Sequence, residues 1–264
     1  MRRSFSLGIL ALAAATATAL ATSTWAEEFR WSGAVAPGKA VEVKGVNGGI
    51  EASPASGGEV ELIARKSGRR SDPSQVEIKV VEHGGGVTIC AVYPTPAGAA
   101  GPNECLPGSG GHMNTRDNDV KVEFTVRVPE GVRFVGRTVN GGVTAEGLSA
   151  DAEAYSVNGG VTVASSGLAR AQTVNGSITA TMGRADWTGS LDLKTVNGSI
   201  TVELPSSVSA RVEAKTVNGG IESDFPLTVT GRFGPRRVSG TIGGGGRDLR
   251  LETVNGGIHI RQGR

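Results

Sequence analysis

The stretch TVNGSITVEL, residues 195–204, contains a motif that the chain repeats along most of its length. The motif consists of a small residue, Val-Asn-Gly, a glycine or serine, and then isoleucine or valine. Its asparagines are Asn47, Asn140, Asn158, Asn175, Asn197, Asn218 and Asn255. From Asn140 onward, successive copies lie 18, 17, 22, 21 and 37 residues apart. We interpret VSGTI, residues 238–242, as a degenerate copy inside the longest gap. A repeat of this period is typical of solenoids and other stacked architectures.

The apolar residues change phase at every copy. Leu191 and Leu193 alternate with polar residues before the motif, and Val196, Ile200 and Val202 alternate in the opposite phase across and after it. Because successive side chains of a strand point to opposite faces, this change predicts that the strand is broken at the motif, and it places Val196 on the same face as Ile200. Asparagine and glycine tolerate the left-handed backbone angles that a corner requires.

The repeat fits two all-β architectures. Asn-Gly between apolar strands is a strong hairpin signal, so an antiparallel β-meander is the alternative. The motif is nearly constant, however, whereas the segments between copies vary in length. This asymmetry favours a single-domain β-solenoid, a β-helix-like stack of coils of 16–22 residues with longer N-terminal strands. In such a stack the asparagines lie above one another and can hydrogen-bond in a ladder.

The chain divides into a leader and one domain. Residues 1–26 combine a basic start, an apolar run and a small-residue cleavage site, which predicts a signal peptide cleaved after Ala26 or, alternatively, after Ala21. The apolar run is too short to favour an anchor, so we expect no transmembrane span in the mature chain. Residues 27–264 form one β-repeat domain, with wider N-terminal strands over residues 27–133 and regular coils over residues 134–264. We expect the former to make wider coils or an antiparallel sheet that covers the open end.

Charge and cysteine content narrow the functional classes. The chain has 27 Lys and Arg against 25 Asp and Glu, and the leader carries two of the arginines, so the remainder is balanced at 25 against 25. A balanced chain lacks the electrostatic footprint of a nucleic-acid binder, and we expect no nucleic-acid partner.

For an exported protein, Cys90 and Cys105 predict a disulfide that closes the Pro/Gly-rich segment between them.

Catalytic chemistry finds little support in the sequence. No carboxylates recur at one register of the repeat, and the histidines lie in turn, loop and terminal contexts. We therefore predict no catalytic residue, no metal site and no cofactor. Sugar binding usually requires exposed aromatic rings, and Trp187, in a variable segment between two copies, is the one residue we single out for possible ligand contact.

The repeated motif and the lead-in DVKVEFTVRVPEGVRF, residues 119–134, together resemble the bacterial putative-adhesin family of β-strand repeats, a family defined as a domain of unknown function. The resemblance covers roughly residues 41–260. It implies an exported or membrane-attached protein and supplies no catalytic residues.

From these observations we expect a non-enzymatic adhesin or cell-envelope structural and binding module, with an unknown protein or glycan partner at the envelope. Its location would be the periplasm, the outer surface or the extracellular space. The alternatives are a periplasmic scaffold or envelope-stress accessory protein, and a carbohydrate-active β-helix enzyme.

Overall fold

The computed structural model describes residues 25–229 and 236–263. The predicted signal peptide and its alternative cleavage site after Ala21 lie outside the described residues, except for Trp25 and Ala26, which begin the first strand.

The regular secondary structure of the described residues is almost entirely strand. Residues 73–75 form a single 3₁₀ turn. The strands are β1 (Trp25–Gly33), β2 (Ala40–Lys44), β3 (Ile50–Pro54), β4 (Val60–Gly68), β5 (Glu77–His83), β6 (Gly86–Val92), β7 (Lys121–Val128), β8 (Arg133–Arg137), β9 (Val143–Leu148), β10 (Ala152–Tyr155), β11 (Val161–Ser165), β12 (Ala169–Gln172), β13 (Ile178–Met182), β14 (Ser190–Lys194), β15 (Ile200–Leu204), β16 (Ala210–Lys215), β17 (Ile221–Ser223), β18 (Thr228–Val229), β19 (Arg237–Ile242), β20 (Arg247–Glu252) and β21 (Ile258–Gln262).

Two sheets contain all of these strands. Sheet A has the order β1-β4-β7-β3-β9-β11-β13-β15-β21-β17, and sheet B has the order β18-β19-β16-β20-β14-β12-β10-β8-β2-β6-β5. Each copy of the motif joins a strand of sheet B to a strand of sheet A, and neighbouring copies pair in parallel, as β13 and β15 do at Ile178 and Ile200. The parallel pairing confirms the solenoid and excludes the antiparallel meander, because a meander would reverse every second strand.

The coils do not stack in chain order. The last coil, β20–β21, lies between the coils β14–β15 and β16–β17 and is parallel to both. The interpretation of residues 238–242 as a degenerate coil is wrong. They belong to β19, which runs antiparallel to β16 and pairs Val238 with Ala214. Strand β19 lies outside β16 near the edge of sheet B, with only the two-residue β18 beyond it. Its antiparallel course returns the chain to the position from which β20 enters the stack.

The N-terminal end uses a comparable arrangement. Strands β6 and β7 form a coil that lies outside β2–β3 and parallel to it, and residues 93–120 take the place of the five-residue corner. Strands β1 and β4 extend sheet A in antiparallel fashion, and β5 extends sheet B through a hairpin at His83 and Gly86. This region therefore contains one wider coil, β6–β7, and antiparallel strands outside it.

The core is a continuous apolar layer between the two sheets. Every coil contributes small and branched side chains such as Ala171, Ile178, Leu193 and Val202, all fully buried. One coil orders about 20 residues at roughly 1.5 kcal/mol each, and its few aliphatic side chains cannot offset that cost alone. Stacking covers both faces of each coil, so the fold depends on the number of copies.

Candidate functional site

The seven motif asparagines form one hydrogen-bonded ladder along the corner of the solenoid. In each pair, a side-chain Nδ2 donates to the Oδ1 of the neighbouring coil at 2.7–2.9 Å. The order along the ladder is Asn47, Asn140, Asn158, Asn175, Asn197, Asn255 and Asn218. The ladder orients every amide group, so it fixes the pattern of donors and acceptors that the corner presents.

A second row of hydrogen bonds lies beneath the ladder, on the inner side of the corner. In the six copies that open with threonine or serine, that residue is buried and its hydroxyl donates to a glycine carbonyl of the adjacent coil at 2.8–2.9 Å. The pairs are Thr138–Gly48, Ser156–Gly141, Thr173–Gly159, Thr195–Gly176, Thr253–Gly198 and Thr216–Gly256. Sequence reasoning missed this role, although the near-constant threonine was its signal.

The first glycine of each motif permits the close stacking. A Cβ on Gly176 would meet the carbonyl oxygen of Gly159, and one on Gly198 would meet that of Gly176. The second position has more room, because the nearest atom to a Cβ would lie 3.6 Å away at Gly160 and 3.0–3.1 Å away at Gly49, Gly142 and Gly257, against 2.0–2.2 Å at the first position. This difference explains why serine is found only at the second position.

The motif valines point outward, which corrects the predicted phase. Val196 is 40% exposed, whereas Thr195 is 4% exposed and continues the inward phase of Leu193. The strand is broken at the motif, but between the threonine and Ile200. Six valines, 37–45% exposed, therefore make a line that we call the valine row: Val139, Val157, Val174, Val196, Val254 and Val217 in stack order.

Different side chains flank the valine row on its two sides. The last outward position of each sheet B strand is often basic, as in Arg137, Lys194 and Lys215. The first outward positions of sheet A are threonines in four consecutive coils: Thr144, Thr162, Thr179 and Thr201. The valine row, the asparagine ladder and this threonine row together form the surface that we call the corner face.

Tyr155 also lies beside the corner face. The Arg137 guanidinium stacks on its ring, 4.0 Å from the centroid, and its hydroxyl donates to Glu153 at 2.7 Å. Burial, followed by the bond to the Glu153 carboxylate, raises the pKa of Tyr155 to about 12. One face of this ring is thus occupied within the protein.

Residues 93–120 close the N-terminal end of the corner face. A disulfide joins Cys90 to Cys105, with 5.7 Å between their Cα atoms. Asn103 is buried and holds the segment through donation to the carbonyls of Tyr93 and Asn114 at 2.9 Å, and its Oδ1 accepts from the Asn114 N–H at 2.7 Å. No sequence signal pointed to Asn103, because its partners are brought together by the loop itself.

Two charged residues of β2 fasten the same segment to sheet B. Lys44 Nζ donates to the carbonyls of Leu106, Gly108 and Gly110 at 2.5–3.0 Å. Glu42 accepts from the Gly108 N–H at 2.8 Å and pairs with Arg137 at 2.9 Å. Burial lowers the pKa of Lys44, and the nearby Glu42 carboxylate opposes that shift.

The segment covers the first position of the corner. Val46 is 8% exposed, although it corresponds to the six exposed valines. A cavity of about 240 Å³ remains between the segment and the corner, with Val46, Val139, Met113 and His112 in its lining. Tyr93, beside Asn47 at the end of the ladder, donates its hydroxyl to the Val120 carbonyl at 2.8 Å, and burial raises its pKa to about 12.

Trp187 is not a ligand contact, which corrects the sequence interpretation. Its side chain is 1% exposed, and its indole nitrogen donates to the Asp248 carbonyl at 2.9 Å. The inter-coil segment folds back and buries the ring against the coil β20–β21, whose position in the stack the sequence did not reveal.

The described residues contain no group of three or more His, Cys, Asp or Glu side chains that could hold a metal ion. Charged side chains on the flanks are paired with each other, as in the ion pairs Arg211–Asp248 at 2.9 Å and Arg261–Asp224 at 3.0 Å. Within residues 25–229 and 236–263, no helix has the length and apolarity needed to cross a membrane.

Fold and surface together define a two-sheet β-solenoid with a repeated small-residue corner. The chain belongs to the Toastrack DUF4097 family, whose model matches residues 113–261, more than half of the chain. No curated protein matches it.

Two solved structures are similar to the chain at low identity. One is a putative cell adhesion protein from Clostridium sporogenes ATCC 15579, with 14% identity, a TM-score of 0.46 and coverage of 90% of this chain and 100% of the other. The second is a putative adhesin from Bacteroides fragilis NCTC 9343, with 13% identity, a TM-score of 0.35 and coverage of 89% and 97%.

Proposed function

We propose that the protein is an exported, non-catalytic binding module of the cell envelope and that its partner binds the corner face. The observation that carries the proposal is the distribution of exposed apolar side chains. Among the described residues, the large apolar side chains that are exposed are the six of the valine row and Leu106. Surface valines that are scattered singly need no explanation, whereas a continuous line of them points to an interaction surface.

The corner face favours a protein over a glycan as the partner. Sugar rings are usually held against exposed aromatic faces, and Tyr155, beside the row, already stacks with Arg137. The row repeats with the spacing of neighbouring strands, roughly 4.8 Å. A rigid aliphatic line with an oriented amide ladder beside it suits an extended or repetitive protein segment, which can bury side chains and use the amides for register.

The test replaces three central valines by threonine. The variant Val157→Thr/Val174→Thr/Val196→Thr keeps the branched shape and makes the row polar. We expect its retention on envelope fragments from the protein's own organism to fall about tenfold or more, with thermal unfolding close to that of the wild type. The matched control is Val81→Thr, the same change at a partly exposed valine of β5 outside the corner face. Equal retention of all three proteins would refute the proposal.

Location separates an adhesin from a periplasmic scaffold. A protease-cleavable tag between Gly57 and Gly58, where the surroundings are open, leaves the corner face untouched. Digestion of the tag on intact cells supports a surface adhesin. Protection until the cells are lysed supports the scaffold or envelope-stress accessory role, and the binding experiment remains valid in either location.

A further inference from the structure

Strand β1 is a long edge at one end of the stack. Its nine residues pair with β4 in continuous antiparallel register from Trp25–Gly68 to Gly33–Val60. In the described residues its other side has no neighbouring strand. At the opposite end of the stack, the edge strands β17 and β18 have three and two residues. Short edge strands discourage pairing with another chain, and a long regular edge invites it.

The side chains of β1 are incompletely covered on the core side. Phe29 and Trp31 pair with the fully buried Ala64 and Leu62, yet both aromatic side chains are only partly buried. Their position at the edge explains this, since no further strand of the described chain covers their outer side. A strand added to β1 would complete the cover of both rings.

The outward side of β1 is self-complementary in charge. Glu28 and Arg30 lie on the exposed face and bridge each other within the strand at 2.6 Å. If two copies of β1 pair in antiparallel fashion about Phe29, then Glu28 of each copy lies opposite Arg30 of the other. Opposite charges in such cross-strand pairs are favourable, whereas like charges are unfavourable.

We propose that β1 is the interface of a two-fold symmetric dimer, in which the β1 strands of two copies of this chain pair antiparallel with Phe29 at the symmetry axis. Sheet A then continues from one copy into the other. A two-fold contact uses the same surface on both partners, and the sequence EFR around Phe29 meets that requirement. The proposal is independent of the corner face, which lies along the stack. Cleavage after Ala21 leaves the whole of β1, and cleavage after Ala26 leaves residues 27–33 of it, so Glu28, Phe29 and Arg30 stay in place in either case.

Cross-linking tests the register. The protein is purified from cells that express the full 264-residue sequence, so that its N-terminus is the one the cell leaves. Directly opposite residues of antiparallel strands have Cα atoms about 4.5–5.5 Å apart, within the range for a disulfide. We expect Phe29→Cys to give a disulfide-linked dimer under mild oxidation. The matched control Ser32→Cys lies opposite position 26 in the proposed pairing, which holds Ala26 after cleavage at Ala21 and no residue after cleavage at Ala26, so it should not cross-link to itself. Cross-linking at both positions or at neither would overturn the register.

Sedimentation at increasing concentration tests the dimer itself. Wild-type protein should dimerise, and Arg30→Glu, which places a second carboxylate opposite Glu28, should weaken the dimer roughly tenfold or more. The control Lys194→Glu makes the same charge change on an exposed residue of β14 in the middle of the stack and should leave the dimer intact. A wild-type protein that stays monomeric, or equal weakening by both substitutions, would overturn the proposal. Unchanged thermal unfolding of each variant shows that the fold is retained.

Discussion

The solenoid has two kinds of corner. Comparing them shows which residues stabilise a corner and which side chains it leaves exposed. The regular corners use five residues each and depend on neighbours, since each threonine hydroxyl and each asparagine amide is satisfied by the adjacent coil. The coil β6–β7 instead uses residues 93–120, held by the Cys90–Cys105 disulfide and by Asn103. The regular corners from Val139 onward expose their valines, whereas residues 93–120 cover Val46, the valine of the first regular corner. Corners that are stabilised from beneath leave their outer side free for a partner.

The largest loss of stability should come from a methyl group placed in the close contact between two neighbouring regular corners. Gly176→Ala places a Cβ against the Gly159 carbonyl, a backbone atom that cannot move alone. We expect a loss of about 3 kcal/mol or more in the free energy of unfolding, measured by denaturant titration. Gly160→Ser, at a position where two other copies carry serine, is the control and should stay within about 0.5 kcal/mol of the wild type. A tolerated Gly176→Ala would contradict the close stacking.

The second largest loss of stability should come from removal of the Cys90–Cys105 disulfide. Replacing Cys90 and Cys105 together by serine removes a closure over 15 residues and should cost about 3 kcal/mol in the free energy of unfolding. Because the segment then loses one of its attachments, hydrogen exchange should rise at residues 103–114 and stay unchanged in the coils from β10 to β15. Uniform loss of protection along the whole chain would show that the two kinds of corner are not independent.

A smaller effect should follow when one hydroxyl is removed from a regular corner. Thr195→Val keeps the branched shape and leaves the partly buried Gly176 carbonyl without its side-chain donor. We expect a cost of about 1.5 kcal/mol in the free energy of unfolding. Thr201→Val, an outward threonine in the next strand, is the matched control and should be nearly neutral. If both variants lose the same stability, the inner row of hydroxyls has no special role.

The smallest expected effect is a pH dependence of stability that comes from Asp119, where residues 93–120 lead into β7. The pKa of Asp119 is lowered to about 2, chiefly because its carboxylate accepts a hydrogen bond from the Ser71 N–H. Stability from this carboxylate is complete above the unfolded pKa of about 3.9 and is lost as the pH falls towards 2. The thermal midpoints of wild type and Asp119→Asn should therefore differ slightly near pH 6 and converge near pH 2. A constant difference over this range would assign the effect to shape instead.

Local pattern in the sequence was sufficient for the repeated part of the fold. The period of the motif predicted a solenoid, and the change of phase between Leu193 and Ile200 located the corner. The sequence assigned Val196 to the wrong face, because threonine and valine are both branched and either can continue a strand. Only packing shows that Thr195, with a hydroxyl that reaches a backbone carbonyl, is the residue that turns inward.

The order in which the coils stack could not be predicted from the sequence, and the reason is physical. Each motif presents nearly the same residues to its neighbours, so local pattern cannot tell which coils are adjacent. The insertion of β20–β21 depends on the antiparallel return of β19, whose residues 238–242 resemble a motif. The burial of Trp187 follows from that insertion, since its partner Asp248 belongs to β20. The exposed corner could be located from the sequence, but the order of its residues and their exposure could not.

The measurement that tests the account most directly is the neighbour relation of the last coil, because the order of the corner face depends on it. Thr201 pairs with His259 across sheet A, so the double variant Thr201→Cys/His259→Cys places two outward cysteines on adjacent strands, about 4.8 Å apart. Stacking in chain order would instead make Thr201 the neighbour of Glu222. We expect a rapid disulfide in the first pair and none in Thr201→Cys/Glu222→Cys. The reverse result would show that the coils follow chain order and that the proposed corner face is wrong.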